Sequence, residues 1–114
     1  MPIKSLSIID DYHAHIYYDT QTKSAAAQLR SQLETQFDTV LGRWHDQLVG
    51  PHPRWSFQVA FKSELFGKII PWLALNRNNL VILIHPNTGD DVIDHTDYAI
   101  WMGEKMELNL NSLQ

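Results

Sequence analysis

The 114-residue chain predicts an α+β fold: a ferredoxin-like β-α-β-β-α-β sandwich carrying a C-terminal extension. Three observations lead there. The stretch Asp11–Asp19 alternates as a strand and leads into an amphipathic helical stretch. A Gly-Pro-His-Pro turn at 50–53 joins two strand-like segments, and a second helical stretch precedes the apolar run Leu80–Ile84. A single domain, residues 1–114, is long enough to hold these elements around one core.

In the first strand alternate side chains leave on opposite faces, so His13, His15 and Tyr17 project from one side and Tyr12, Ala14, Ile16 and Tyr18 from the other. The second set suits packing against helices. The first is polar, and its two imidazoles lie about 7 Å apart at a rise of roughly 3.3 Å per residue, near enough to converge on one metal ion. An isolated His-x-His describes a solvated sheet face at least as well, so other residues must decide. Asp19 or Thr20 is placed to cap a helix whose apolar positions Ala25, Ala26, Leu29, Leu33, Phe37 and Val40 keep helical spacing up to a stop at Gly42.

Arg43–Val49 reads as the second strand and Arg54–Lys62 as the third, with Trp55, Phe57, Val59 and Phe61 on one face. Together they make a hairpin whose tip presents His52, held stiff between Pro51 and Pro53. Ser63 caps a second helix with Phe66, Ile69, Ile70 and Leu73 in its buried stripe, kinked or split at Pro71. Leu80–Ile84 is a covered strand that Pro86 should stop, which leaves His85 at its mouth. The tail from Asp90 to Gly103 is acidic and aromatic, and it can cross the polar face of the sheet to bring His95 towards His13 and His15. Met106–Leu110 alternates like a short final strand.

With both helices on one face of the sheet, the histidine face needs a cover. Small ferredoxin-like domains obtain one by pairing two such faces, so a homodimer closed as an α/β barrel is expected. A formal net charge of −4 without a basic run argues against nucleic acid as a partner, and the same anionic surface disfavours acidic membranes. Cysteine is absent, so a metal must use His, Asp, Glu or Tyr. Lys4 and Asp10-Asp11 interrupt the N-terminal stretch before a signal-type apolar core forms, and there is no membrane-length apolar run, so a cytoplasmic protein is expected. Six histidines and four tryptophans stand out in so short a chain.

The stretches Tyr12-His13-Ala14-His15-Ile16-Tyr17-Tyr18-Asp19, Gly50-Pro51-His52-Pro53, Leu83-Ile84-His85-Pro86-Asn87-Thr88-Gly89 and Asp94-His95-Thr96, followed by Trp101-Met102-Gly103, resemble the fungal-type DOPA 4,5-dioxygenase family. Four motifs in order over nearly the whole chain make the resemblance specific. It implies a dimeric ferredoxin-like protein that opens the ring of a small catechol such as L-DOPA with dioxygen, by extradiol cleavage. That chemistry implies Fe(II), with zinc a possible substitute in purified protein, and about three protein ligands. His13, His15 and His85 are the first choice as metal ligands. His52 and His95 are alternates or the acid–base groups, and Asp19, Asp91, Asp94 or Asp97 can supply the carboxylate of a two-histidine set. Arg54 is placed to hold a substrate carboxylate, and Tyr17 and Trp101 to flank the substrate ring. Two other readings keep the cluster: a zinc-dependent hydrolase, and a non-catalytic dimeric module that binds an aromatic ligand or a metal.

Overall fold

The computed structural model describes residues 2–113. Strands β1 (Asp11–Tyr18), β2 (Val40–Leu41), β3 (Trp55–Phe61), β4 (Ile82–Asn87) and β5 (Ile100–Met102) form one antiparallel sheet in the order β2-β3-β1-β4-β5. Helices α1 (Lys23–Gln36) and α2 (Phe66–Asn76) pack on one face, and a single turn, α3 (Asp91–Asp94), lies in the tail. The first four strands and two helices follow the expected α+β succession, and β5 extends the sheet beyond β4.

Central strand β1 carries out the division of faces that its alternation predicts. Ala14, Ile16 and Tyr18 join Phe57, Val59 and Phe61 of β3, Ile82 and Ile84 of β4, and Ala26, Leu29, Leu33, Ile69 and Leu73 of the helices in one buried core. Full burial of each such Leu, Ile or Phe contributes about 1.5–3 kcal/mol, so this layer dominates stability. On the opposite face the chain's own tail lays Ala99, Trp101, Met106 and Leu108 over Tyr17, Val81 and Leu83. The β2 end of that face stays open, with Val40 exposed.

Several boundaries differ from expectation. Helix α1 ends at Gln36 and turns extended at Phe37 (φ −133°, ψ 150°), six residues before Gly42, and Val40 pairs in β2. The second strand is not Arg43–Val49. It is Val40–Leu41, continued only by a bond from Gly42 N–H to Gln58 O (2.8 Å) and by an isolated bridge between His45 and Ser56. Between these contacts Arg43 and Trp44 face Phe57 alone, one residue too many for a regular ladder, as in a β-bulge. The bulge turns Trp44 onto Phe57 (ring centroids 5.0 Å) and Tyr18 (5.1 Å).

At the start of α1, Asp19 accepts from the Gln21 and Thr22 amides in a turn before the helix, which begins at Lys23. Ser63 opens a short 3-10 turn, Ser63–Leu65, and α2 runs unbroken through Pro71; the residue four back, whose carbonyl the proline ring approaches, is the small Gly67. Strand β4 continues past His85 to Asn87, and Pro86 sits opposite Tyr12. Strand β5 pairs only as far as Ile84, so no neighbour on that side requires the amide that Pro86 lacks. Met106–Leu110 forms no strand. Met106 and Leu108 are drawn down onto the cluster of Tyr17, Val81 and Leu83, and the backbone holds the Gly-Pro-His-Pro turn through Asn109 N–H to Pro51 O at 2.9 Å.

Replacing Ile16 by Ala should cost about 2–5 kcal/mol, read by urea denaturation, because the site lies at the helix–sheet contact. Val40→Thr, at a position 73% exposed, should change stability by no more than about 0.5 kcal/mol. Comparable losses at the two positions would contradict this division of the sheet.

Candidate metal centre

Register, more than sequence proximity, builds the site. Strand pairing sets His13 directly opposite His85, and His15 opposite Leu83, so two histidines of β1 and one of β4 share a face. The ligand atoms of His13, His15 and His85 all lie within 4.8 Å of one another, a group able to hold a metal ion. His15 and His85 are buried, and their Nε2 atoms face each other at 3.0 Å. His85 Nδ1–H donates to the carbonyl of Pro86 (2.9 Å), which fixes the tautomer and leaves its Nε2 lone pair for a metal.

Burial sets the charge state. Desolvation, with the neighbouring imidazoles, holds His15 well below its ordinary pKa; it also lowers His13 and brings His85 to about 4, although the Pro86 carbonyl opposes the shift at His85. Metal ligation needs neutral imidazole, so the fold holds these three histidines at neutral pH in the form that a metal ion could bind.

His52 and His95 flank this trio. The His52 ring lies 4.2 Å from His15 between centroids, and the His95 ring 4.0 Å from His85 and 6.1 Å from His15. The turn that carries His52 is closed by His52 N–H to Val49 O (3.1 Å) and opened by Gly50 at φ +54°, in the left-handed region that suits glycine. His52 Nδ1 meets the Tyr17 hydroxyl at 2.7 Å. Desolvation lowers His52 to about 4 and raises Tyr17 above its ordinary range, so both are neutral near pH 7. His95 follows α3 and donates its Nδ1–H to the Asp91 carbonyl (2.7 Å), leaving Nε2 as an acceptor.

The other expected residues divide. Tyr17 stacks on Trp101 at 6.2 Å and 19°, inside the packing under the tail, and contributes a hydroxyl as well as a ring. The Arg54 guanidinium faces Glu104 at 3.9 Å on the exposed surface, and Arg54 is not among the residues lining the clefts beside the histidines. Among the four carboxylates, Asp94 is buried but accepts from the Thr88 amide (2.8 Å) and hydroxyl (2.6 Å), and Asp19 caps the turn before α1. Asp91 serves through its backbone carbonyl, and Asp97 sits on the rim of a cleft. Among the described residues no carboxylate joins the trio.

Three clefts ring the cluster. One of about 300 Å³ is lined by His95, Trp101, Lys105, Glu107 and Leu108, and one of about 190 Å³ by His15, His45, His52, Ser56 and Gln58. A third touches both, through Glu107 and Leu108 on one side and Gly50 and His52 on the other. His45 and Lys105 were not anticipated. His45 arrives through the bulge at Arg43-Trp44, and Lys105 through the strap after β5, neither of which has a periodic signal.

A protein of Botryotinia fuckeliana described only as an uncharacterized 21.2 kDa protein is 38% identical over 112 residues, 88% of this chain and 61% of that protein. The DOPA 4,5-dioxygenase of Amanita muscaria is 34% identical over 116 residues, 94% of this chain and 51% of that enzyme. The chain thus spans only about half to three fifths of the length of these two relatives. A crystal structure of a Nostoc punctiforme protein described as a candidate dioxygenase superposes with a TM-score of 0.96 at 44% identity, covering 97% of this chain and 96% of that one. The model of the Dopa 4,5-dioxygenase family matches residues 12–112 and takes in all five clustered histidines. With the motifs, the register and that match in agreement, the chain belongs to the Dopa 4,5-dioxygenase family.

Proposed function

We propose that this chain is a metal-dependent extradiol dioxygenase that opens the ring of a small catechol, with L-DOPA among its candidate substrates. The observation that carries the reading is the convergence of His13, His15 and His85, two of them buried, in a chain of this family. The donor set fits iron: three nitrogen donors, held neutral by burial, one of them with its far nitrogen tied to a backbone carbonyl. Iron(II), when bound, supplies the redox chemistry through which an aromatic ring reacts with dioxygen.

The protein's own part is proton handling and exclusion of water. A catechol must lose a hydroxyl proton, and the opening ring must receive one. His95 is oriented for the first task, since its Nδ1–H is committed to Asp91 O and its Nε2 can only accept. His52 supports the second. Tyr17, kept protonated by burial, donates to His52 Nδ1, so the ring proton of His52 sits on Nε2, where the neutral imidazole donates a hydrogen bond to the opening ring while the proton itself returns from His95, which took it up in the first step. Met106 and Leu108, packed over Tyr17, keep that hydrogen bond away from bulk water.

Anaerobic loading with Fe(II), then addition of L-DOPA in air, should give oxygen uptake together with a new yellow chromophore. His15→Ala and His85→Ala should lose bound iron, measured by metal analysis, while circular dichroism stays unchanged. Catechol binding without oxygen consumption would reject the dioxygenase reading. His52→Gln and His95→Gln should retain iron and lower kcat by about 10²–10⁴-fold. Loss of iron from either variant would make that histidine a ligand instead.

The metal-free protein should also respond to acid. His52 and His85 take up protons near 6.5 when unfolded but only near 4 when folded. The unfolded state therefore binds more protons between these limits, and stability falls as pH drops through that window. The Tm of metal-free protein should be flat above about pH 6.5 and fall steadily towards pH 4, with a shallower fall in His52→Gln. A Tm independent of pH across this range would show that these histidines are not held neutral.

A further inference from the structure

Of the described residues lining the three clefts beside the histidines, Lys105 is the one lysine or arginine. Other cations near this part of the chain are engaged: Arg54 faces Glu104, and Arg77 donates to the Leu80 carbonyl. Lys105 has no ion pair and no side-chain hydrogen bond among the described residues. It stands on the cleft of about 300 Å³ that begins at His95, a size at the lower end of small-ligand sites. Trp101, Met106 and Leu108 give that cleft an apolar wall fit for an aromatic ring, while Lys105, Asp97 and Glu107 are exposed and charged on its margin. Such a cleft fits an amphipathic ligand, ring inward and charged tail outward.

The protein's formal charge of −4 repels an anionic ligand at long range. A single ammonium at the mouth gives an anionic group one point of attraction on a margin that otherwise carries Asp97 and Glu107. Its flexible stem makes it a point charge rather than a rigid fork, so it can follow a carboxylate on tails of differing length. We propose that Lys105 is a specificity-determining residue that reads a carboxylate on the side chain of the aromatic substrate. Asp97 and Glu107 on the same cleft accept an ammonium, so a tail bearing both charges gains from both signs. This assignment rests on the catechol-cleaving reading of the same site, and it takes the role that the sequence offered to Arg54.

The test is a charge series at nearly constant shape. Iron-loaded wild type, Lys105→Met and Lys105→Glu are titrated calorimetrically, without oxygen, with dihydrocaffeate (anionic tail), ethylcatechol (neutral) and dopamine (cationic). An exposed ion pair predicts that Lys105→Met weakens dihydrocaffeate by about 2–5-fold and leaves ethylcatechol unchanged. Lys105→Glu should weaken dihydrocaffeate further and favour dopamine. In air, kcat/KM should follow the same order, with the change in KM rather than kcat. A purely structural lysine would shift all three ligands equally, and that result, or no shift at all, overturns the role of Lys105 while leaving the dioxygenase reading in place. Failure of all three to bind wild type overturns the catechol reading and this assignment with it.

Discussion

The constraint on which the rest of the structure depends is the two-residue period of β1, set in the middle of the sheet. One face of that strand supplies Ala14, Ile16 and Tyr18 to the core beneath the helices; the other supplies His13, His15 and Tyr17. Because β1 is hydrogen-bonded on both sides, a slip of one residue against either neighbour would exchange the two sets. It would bury imidazoles among the helices and expose isoleucine on the polar face. Core packing therefore fixes the position of the histidines, and the centre inherits its accuracy from apolar contacts on the other side of a sheet one residue thick.

Backbone carbonyls complete the arrangement. The Pro86 and Asp91 carbonyls each accept an imidazole Nδ1–H, and so decide which nitrogen of His85 and of His95 faces the cluster. One lies at a proline inside β4, beyond the last residue that β5 pairs, and the other at the start of the single turn α3. Carbonyls at these two places thus orient the polar groups, while the strands space them.

How much of this is legible in the sequence follows the same division. Alternation in β1 and β3 is written in residue types, so the faces, the core and the side on which His13 and His15 stand can be read directly. His85 and His95 can be read as residues at the ends of segments. Their meeting with His15 cannot, because it depends on which strands pair and in what register. The second strand is misplaced by the sequence reading because the Gly-Pro-His-Pro turn suggests a hairpin arm at Arg43–Val49, whereas a bulge at Arg43-Trp44 leaves only Val40–Leu41 in regular pairing. The final segment misleads for a related reason. Met106 and Leu108 alternate as a strand does, yet they are used to cover Tyr17 and Leu83. Arg54, one step from the histidine turn, faces Glu104, a pairing that depends on where the tail runs and that proximity in sequence does not reveal.

The single bond from Asn109 N–H to Pro51 O ties the last part of the tail to the turn that carries His52. Its closure brings together residues far apart in the chain, as does the facing pair His15 and His85, which are separated by 70 positions. Contacts of such separation form late, because the intervening chain must be ordered first. During synthesis, β1 leaves the ribosome with two bare imidazoles and no third partner until β4 has followed, and the tail closes over them later still. A metal ion that needed all three imidazoles would thus find them together only after β4 has paired with β1, so selection by this trio would follow the folding that sets its geometry.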